Sequence, residues 1–583
     1  MTLLQKNIRF LASLLLLFLL ITYANHFDNS FHFDDMHTIV ENAYIRNIKN
    51  IPAFFTDPTM FSTSPNHYSL RPIVTTSLAV DYWLGGDLYP FVFHLSNFIW
   101  HILVCIACYF IYKRVLKFSF QHNLIEYLAL FAVTWFALHT ANAETINYII
   151  SRSDIISTFF ITASFATYIL FPSRRKWYLY LIPAILAALT KETALVLVIL
   201  LFFYINLFEK ELTIGELFKV KNVKAVLNTI VSLLPLIIIV GAVQYYTISS
   251  SQITSSANIP HPYAYYWLTQ SFVWLHYFTA FFLPIHLSAD TDWVVILTVF
   301  DKRILMGLLF VVALVIIIFK TSQKRENKPI SFGLIWFAAA LLPTSLAPFA
   351  EVTNDHRMYF PFIGLTFSVV NYIGLCLAKR EHTLRSNKIA LTAIWFGCLL
   401  TLLLHSYGVY RRNKIWDSEE TLWGDVAKKS PLNGRGLMNY GLALMTNGKN
   451  DEAIVYFQRA LELIPTYDRL YINLGIAYGK KGNHQQAESN FAKGIYYGST
   501  NYESFAYYAR YLAQQKRFEE AKLAGEQALS INPHSVLVLK VLMEVYQNLG
   551  LWDDLERTSI LVLALLPNDT EGLKYLAIAK DKT

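Results

Sequence analysis

Residues 8–35 read IRFLASLLLLFLLITYANHFDNSFHFDD. An apolar run begins at Leu11, behind the basic residues Lys6 and Arg9, and soon gives way to two adjacent carboxylates, Asp34 and Asp35. Acids at the lip of a membrane are costly to hold near hydrocarbon, so the pair points to chemistry. Residues 22–26, TYANH, lack a small-residue cleavage pattern, and the run reads as a retained first helix. Many apolar runs follow, and the chain ends in a helical repeat. The expected fold is therefore all-α: a polytopic membrane bundle followed by an α-solenoid.

Composition agrees. Of 583 residues, 55% are hydrophobic and 15% charged, with a mean hydropathy of +0.37. A water-soluble domain carries roughly a quarter charged residues. The apolar runs fill the first two-thirds, and from about Trp416 the sequence reads as soluble. The net charge of +8 is scattered, with no basic patch to take nucleic acid, and is explained by charges flanking membrane spans. Cys105, Cys108, Cys376 and Cys398 all lie within apolar runs, which supports neither a disulfide framework nor a zinc site.

A span needs about 20 apolar residues. The expected spans are 8–24, 90–112, 124–140, 154–172, 177–190, 194–208, 226–247, 302–319, 332–350, 358–378 and 389–407, with 263–287 either crossing or re-entering, so about 11–12 in all. Placing the N-terminus in the cytoplasm collects Lys113/Arg114/Lys117, Arg174/Arg175/Lys176, Lys210/Lys219/Lys221/Lys224, Lys320/Lys324/Arg325/Lys328 and Lys379/Arg380/Arg385/Lys388 on the inner side. Residues 249–262, on the outer side, have no Lys or Arg. The alternation holds only if 263–287 enters and leaves on the outer side or another crossing lies nearby. The C-terminal domain is then extracytoplasmic. The same assignment puts Asp34-Asp35, Glu144 with Arg152 and Asp154, Lys191-Glu192, Asp290 with Asp292, and Asp355-His356-Arg357 on the outer face. One shared active site would produce that convergence; so would the plain need to keep polar residues in loops.

The expected domains are a membrane part over 1–410, a linker over 411–432 and repeats over 433–583. Within the first, loop 25–89 is too long for a simple connector. Ile39, Val40, Ala43, Tyr44 and Ile48 recur at helical spacing and predict an amphipathic surface helix over 36–48, which one of the two acids would cap. From Asn433 a 34-residue period appears. Gly448, Gly482 and Gly550 share one phase, with Lys516 in the third copy; Ala453, Ala487 and Ala521 share another, replaced by Leu555. Phe457 and Phe491 align, as do Pro465, Pro533 and Pro567, while Ala460, Gly494 and Ala528 mark a position for small side chains. This is the tetratricopeptide signature, four repeats with a capping helix over 570–580. Such an array offers a concave surface for peptide or protein, or merely caps the membrane domain.

Read together, these residues resemble a known family. Phe33-Asp34-Asp35 with Ile39 and Asn42, Arg71-Pro72, Phe93-His94-Leu95 with Asn97 and His101, Phe136-Ala137-Leu138-His139 leading through Glu144 to Ser151-Arg152-Ser153-Asp154, Lys191-Glu192, and Arg357 with Tyr359, Pro361 and Gly364 are similar to the transmembrane and tetratricopeptide-repeat O-mannosyltransferases. The resemblance covers nearly the whole chain. Thr140 stands where that family usually has Pro, and the shorter array and compact loops look more like a bacterial relative, with the periplasm as the outer compartment (the ER lumen in a eukaryote). The resemblance implies a GT-C glycosyltransferase that takes a sugar, mannose in the animal family, from a polyprenyl-phosphate carrier to a Ser/Thr hydroxyl of an acceptor protein held by the repeats.

A hydroxyl attacking an anomeric carbon needs a base for its proton, and a carboxylate within reach supplies it. Asp35 is slightly favoured over Asp34, and adjacent acids raise the pKa of one. The departing lipid phosphate needs positive groups: Arg357, Lys191 and Arg152, with His94 as a further donor. Glu144, Asp154 and Glu192 complete the expected substrate-binding set. Lys191-Glu192 and Arg152 with Asp154 could instead pair internally and hold helices together. Phosphate departs without a metal, so no metal or other cofactor is obligatory, although magnesium or manganese would suit the two Asp carboxylates. Tyr263, Tyr265, Tyr266, Trp267, Phe272 and Trp274 could line a groove for the lipid tail or form an interfacial belt. The rivals are a lipid-linked sugar transporter, a membrane scaffold and a transferase that extends glycans.

Overall fold

The structure is a computed structural model describing residues 3–64, 67–120, 124–252, 262–380 and 387–582. Arg385 and most of 249–262, both used in the topology argument, lie outside the described residues. The chain divides into two compact units, Met1–Leu422 and Trp423–Thr583. The division falls within 411–432, which is largely helical.

The first unit contains α1 (Leu3–Thr22), α2 (Pro72–Gly85), α3 (Pro90–Leu116), α4 (Leu124–Ala137), α5 (Asn142–Asn147), α6 (Arg152–Leu170), α7 (Leu181–Ala188), α8 (Val196–Tyr204), α9 (Val223–Ser250), α10 (Tyr263–Phe282), α11 (Lys302–Ser322), α12 (Lys328–Leu346), α13 (Tyr359–Lys379) and α14 (Lys388–Ile415). Proline opens α2 and α3, where its fixed φ suits the first turn and its missing N–H is not needed. Among the described residues nine helices are long and apolar enough to cross a membrane, and the unit is an integral membrane domain. The remaining expected spans come out differently. Span 124–140 is the 14-residue α4, and 177–190 contains only the eight-residue α7, about 12 Å long and too short to cross alone.

The chain doubles back after α10. Ser271 and Phe272 lie against Gly307, and Phe278 packs on Phe310 with ring centroids 5.0 Å apart, so α10 and α11 run in the same sense. The connecting chain returns without helix: Trp293 stacks on Phe272 at 5.3 Å and the Ile296 N–H donates to Thr269 Oγ1 at 2.9 Å. The aromatic groups of α10 dock on the last turn of α12: Tyr266 donates to the Thr344 carbonyl, Trp267 to that of Leu346, and Trp274 to Ser345 Oγ.

The expected amphipathic helix over 36–48 is not continuous. A π-turn (Met36–Val40) is followed by separate 3-10 turns at Ala43–Arg46 and Ile48–Asn50. Asn42 interrupts the run by donating to the carbonyls of Thr38, Met60 and Phe61. Ile39 and Ile45 are buried in a small core with Phe54, Phe61, Val74, Leu78 and Phe93. The apolar spacing therefore builds a folded cap closed over α2 and α3.

The second unit is a repeat array. Four helix pairs occupy Gly434–Thr446 and Asn450–Leu463, Asp468–Lys480 and His484–Tyr497, Tyr502–Gln514 and Phe518–Ile531, then Val536–Leu549 and Trp552–Leu565, before a last helix at Thr570–Lys582. The first-phase residues share one conformation: Gly448, Gly482, Lys516 and Gly550 all have positive φ, from 59° to 79°. Lys516 takes the left-handed turn despite its side chain. Ala460, Gly494 and Ala528 are buried, and a methyl group on Gly494 would lie 2.5 Å from Ile472.

One close backbone approach inside the membrane unit is between α12 and α13. A Cβ on Gly333 would lie 2.4 Å from the Gly364 carbonyl oxygen, and one on Gly364 would lie 2.4 Å from that of Gly333. Small residues let helices touch where no hydrophobic force drives them together in lipid. Gly364→Val should therefore push the pair apart and cost about 1–3 kcal/mol, measured as a lowered unfolding midpoint of the detergent-solubilised chain. An unchanged midpoint would refute the close approach.

Candidate active site

The end of α1, the starts of α3 and α6, the end of α7 and the start of α13 come together with the first loop at one end of the bundle. Asp35 joins them. Its carboxylate accepts from the backbone N–H of Ile150 (2.8 Å), Ile149 (3.4 Å) and His32 (3.1 Å), and the residue is fully buried. Burial pushes the Asp35 carboxyl up to about 7 against the lowering effect of those N–H groups and His32; the adjacent acid is not the cause. Asp35 occupies the cap position of Met36–Val40 without a side-chain capping bond.

Asp34 faces the other way. Its side chain is 49% exposed, with Oδ1 3.3 Å from His37 Nε2. Its backbone N–H donates to the Tyr148 hydroxyl. Burial raises its carboxyl, but His37, with His67 and Tyr148, outweighs that and holds it below the usual range. Just before the acids, Phe33 has φ of +51°, uncommon for a bulky residue. Its ring sits between Tyr148 and Trp416 at 5.4 and 5.9 Å, contacts that hold the strained turn.

The expected cations separate. Arg152 is fully buried and paired with Asp81 at 2.5 Å. It also donates to the Phe93 carbonyl at 3.0 Å and to Ser77 Oγ at 3.3 Å. Its guanidinium is thus committed to tying α6 to α2 and α3, in place of the expected phosphate contact. His94 is also corrected. Its Nε2 donates to the Asn29 carbonyl at 2.9 Å, which leaves Nδ1 an acceptor, buried and without a partner, and so no proton donor for an anion. Lys191 pairs with Asp154 at 2.7 Å, and Arg71 and His356 lie within electrostatic reach of the same acid. Arg71 also approaches Glu192 at 3.7 Å. Arg357 is half-buried, lies 4.9 Å over the Phe349 ring and donates to the Glu351 carbonyl at 3.1 Å.

Glu144 Oε1 takes both the backbone N–H of His356 at 3.2 Å and its Nδ1 at 2.9 Å. Its Oε2 is buried with no hydrogen-bond partner, an exception among buried polar atoms that asks for a ligand or water. The structure thus gathers Glu144, Asp154, Lys191, Glu192, Arg71 and His356 at the neck of α6, while Asp35 fastens the first loop to residues 149–150 of the same neck. Asp290, expected nearby, is buried next to Ser288, whose backbone N–H donates to Asp355.

Parts of the chain match known proteins. Residues 441–482 match the model described as TPR repeat, and 468–497 the tetratricopeptide repeat model. Across the membrane part as well, the chain is 23% identical over 508 residues to the human protein O-mannosyl-transferase TMTC3, covering 80% of this chain and 53% of that protein. Human TMTC1 is 24% identical over 513 residues, covering 78% and 55%. Tmtc3 of Drosophila melanogaster is 23% identical over 599 residues, covering 88% and 63%. The chain is a distant relative of the O-mannosyl-transferases. It spans about half the length of the two human proteins. The motifs that carry the resemblance acquire physical reasons in the structure. Asn42 closes the first-loop turns, and Gly364 allows the α12–α13 approach. Tyr359 is hydrogen-bonded to His101 Nδ1 at 2.8 Å.

Sequence reasoning had no site role for Asp81, His37 or His67. Asp81 sits in an apolar stretch opened by Arg71-Pro72, and a lone acid there was the available signal for a buried partner. His37 and His67 carried none, since 30 residues separate them.

Breaking the Arg152–Asp81 pair by Asp81→Ala should strand a buried cation and destabilise the fold by about 3–5 kcal/mol. The double variant Asp81→Leu with Arg152→Met should recover most of that loss. Thermal unfolding of the three proteins in detergent checks this, and equal losses in the single and double variants would reject the pair.

Proposed function

We propose that this chain is a membrane glycosyltransferase that moves a hexose, mannose by analogy with its relatives' name, from a polyprenyl-phosphate donor to a Ser/Thr hydroxyl of a protein. The observation that carries the reading is that an exposed acid and a group of cations share one end of the helix bundle, in a chain related to O-mannosyl-transferases. The acceptor oxygen bonds to the anomeric carbon as the bond from that carbon to the phosphate oxygen breaks, and the acceptor proton passes to a carboxylate. We assign the proton to Asp34, because a base must touch its substrate and the oxygens of Asp35 are turned into backbone N–H groups. Asp35 is then a positioning residue. Lys191, Arg71 and Arg357 supply the positive field for the departing lipid phosphate. Arginine can grip it through two parallel bonds, whereas lysine acts as a point charge. The open oxygen of Glu144 is available to a sugar hydroxyl, with Asp154 and Glu192 keeping the cations in place. The repeat array would hold the acceptor protein.

Transfer from a radiolabelled polyprenyl-phosphate mannose to a Ser/Thr-containing protein tests the chemistry. Asp34→Asn should lower the rate by about 10²-fold or more with an unchanged unfolding midpoint, whereas Asp35→Asn should lower both. Parental transfer by Asp34→Asn would remove Asp34 from the reaction.

The reading also places the site and the repeats outside the cytoplasm, following the excess of Lys and Arg in the inner loops. A cysteine-reactive or proteolytic tag at the C-terminus should be accessible from the extracytoplasmic side of sealed cells or vesicles. Access only from the cytoplasmic side would overturn the orientation.

A further inference from the structure

The first loop brings three potential metal ligands to one point. Asp34, His37 and His67 each offer one ligand atom, and these atoms lie within 4.8 Å of one another. We propose that they form a binding site for a divalent ion of the zinc class. The cation expected from sequence would have bridged Asp34 and Asp35, but Asp35 gives its oxygens to three backbone N–H groups. The carboxylate that remains meets imidazoles instead.

Four-coordinate zinc holds nitrogen and oxygen ligands at about 2.0–2.2 Å, which sets them roughly 3.3 Å from each other. Asp34 Oδ1 and His37 Nε2 already have that separation, 3.3 Å. An ordinary hydrogen bond between neighbours three residues apart would account for this pair alone. It does not account for His67, brought from 30 residues further on to a ring-centroid distance of 4.8 Å from His37. The arrangement also has an outer layer. His37 Nδ1 is bonded to Ser62 Oγ at 2.9 Å, the Ser64 N–H donates to the same oxygen at 2.9 Å, and the Thr63 N–H donates to the His37 carbonyl at 2.9 Å. Metal-binding histidines are commonly fixed in this way, through the ring nitrogen that does not touch the ion. Two imidazoles favour zinc, copper or nickel over magnesium and calcium, which prefer all-oxygen sites. Three protein ligands leave a fourth position open to water or a substrate oxygen.

The site stands without the proposed reaction, because it is read from bound metal and no product is counted. The full-length chain in detergent is stripped with EDTA, titrated with zinc chloride in competition with a chromogenic chelator, and assayed for metal by mass spectrometry. One zinc per chain is expected, with no competition from excess magnesium. His67→Ala, at an exposed position, and His37→Ala should each weaken binding by more than about tenfold, and Ser62→Ala by about tenfold. His484→Ala in the repeat array should bind as the parent does. Less than one zinc on the parent, or parental affinity in both His37→Ala and His67→Ala, overturns the site.

Discussion

The Asp35 carboxylate, held by the N–H groups of Ile149 and Ile150, is the contact on which the arrangement depends. The loop's apolar core packs it on α2 and α3, and directed bonds at a few points fix its register on the rest of the face. An ionised or partly ionised acceptor makes stronger hydrogen bonds than a neutral one, and here it satisfies backbone donors at the neck of α6. Because Asp35 faces inward, Asp34 and the strained Phe33 turn are left at the surface. The far end of the loop is fastened separately: Arg71 reaches Glu192, and the Leu70 N–H donates to Ser251 Oγ.

The charges of this face divide by burial. Arg152 and Asp81 are removed from solvent and satisfied by each other and by nearby polar groups. Such a pair contributes little net stability, but either member alone would be costly, so it specifies how α2, α3 and α6 meet. Lys191 with Asp154, and Arg71 with Glu192, remain partly open. Groups in that state can exchange a protein partner for an anionic ligand, which the buried pair cannot do. The same motif string, Ser151-Arg152-Ser153-Asp154, therefore serves two purposes within one helical turn.

Much of this was legible in the sequence because it rests on local or periodic signals. Apolar run lengths identify most spans, since a helix must match the bilayer. The 34-residue period identifies the repeats, down to the left-handed turn that Lys516 shares with three glycines. The charge alternation left 263–287 either re-entering or accompanied by another crossing, and it could not supply the extended return along Phe272 and Thr269. The continuous helix expected over 36–48 failed because spacing alone does not register Asn42, whose side chain takes the Thr38 carbonyl that the next helical turn would have used and ties it to the carbonyls of Met60 and Phe61.

By itself the chain determined that it is helical, embedded in a membrane, ended by paired-helix repeats, and equipped with acids and cations in a recognisable order. Hydrophobicity and periodicity act over a few turns, so they survive without knowledge of the fold. Tertiary structure alone decided which of two adjacent acids faces outward, that Arg152 belongs to Asp81, and that His37 and His67 meet. Those outcomes turn on which distant backbone and side-chain groups arrive at hydrogen-bonding distance, and residue order carries no record of that distance.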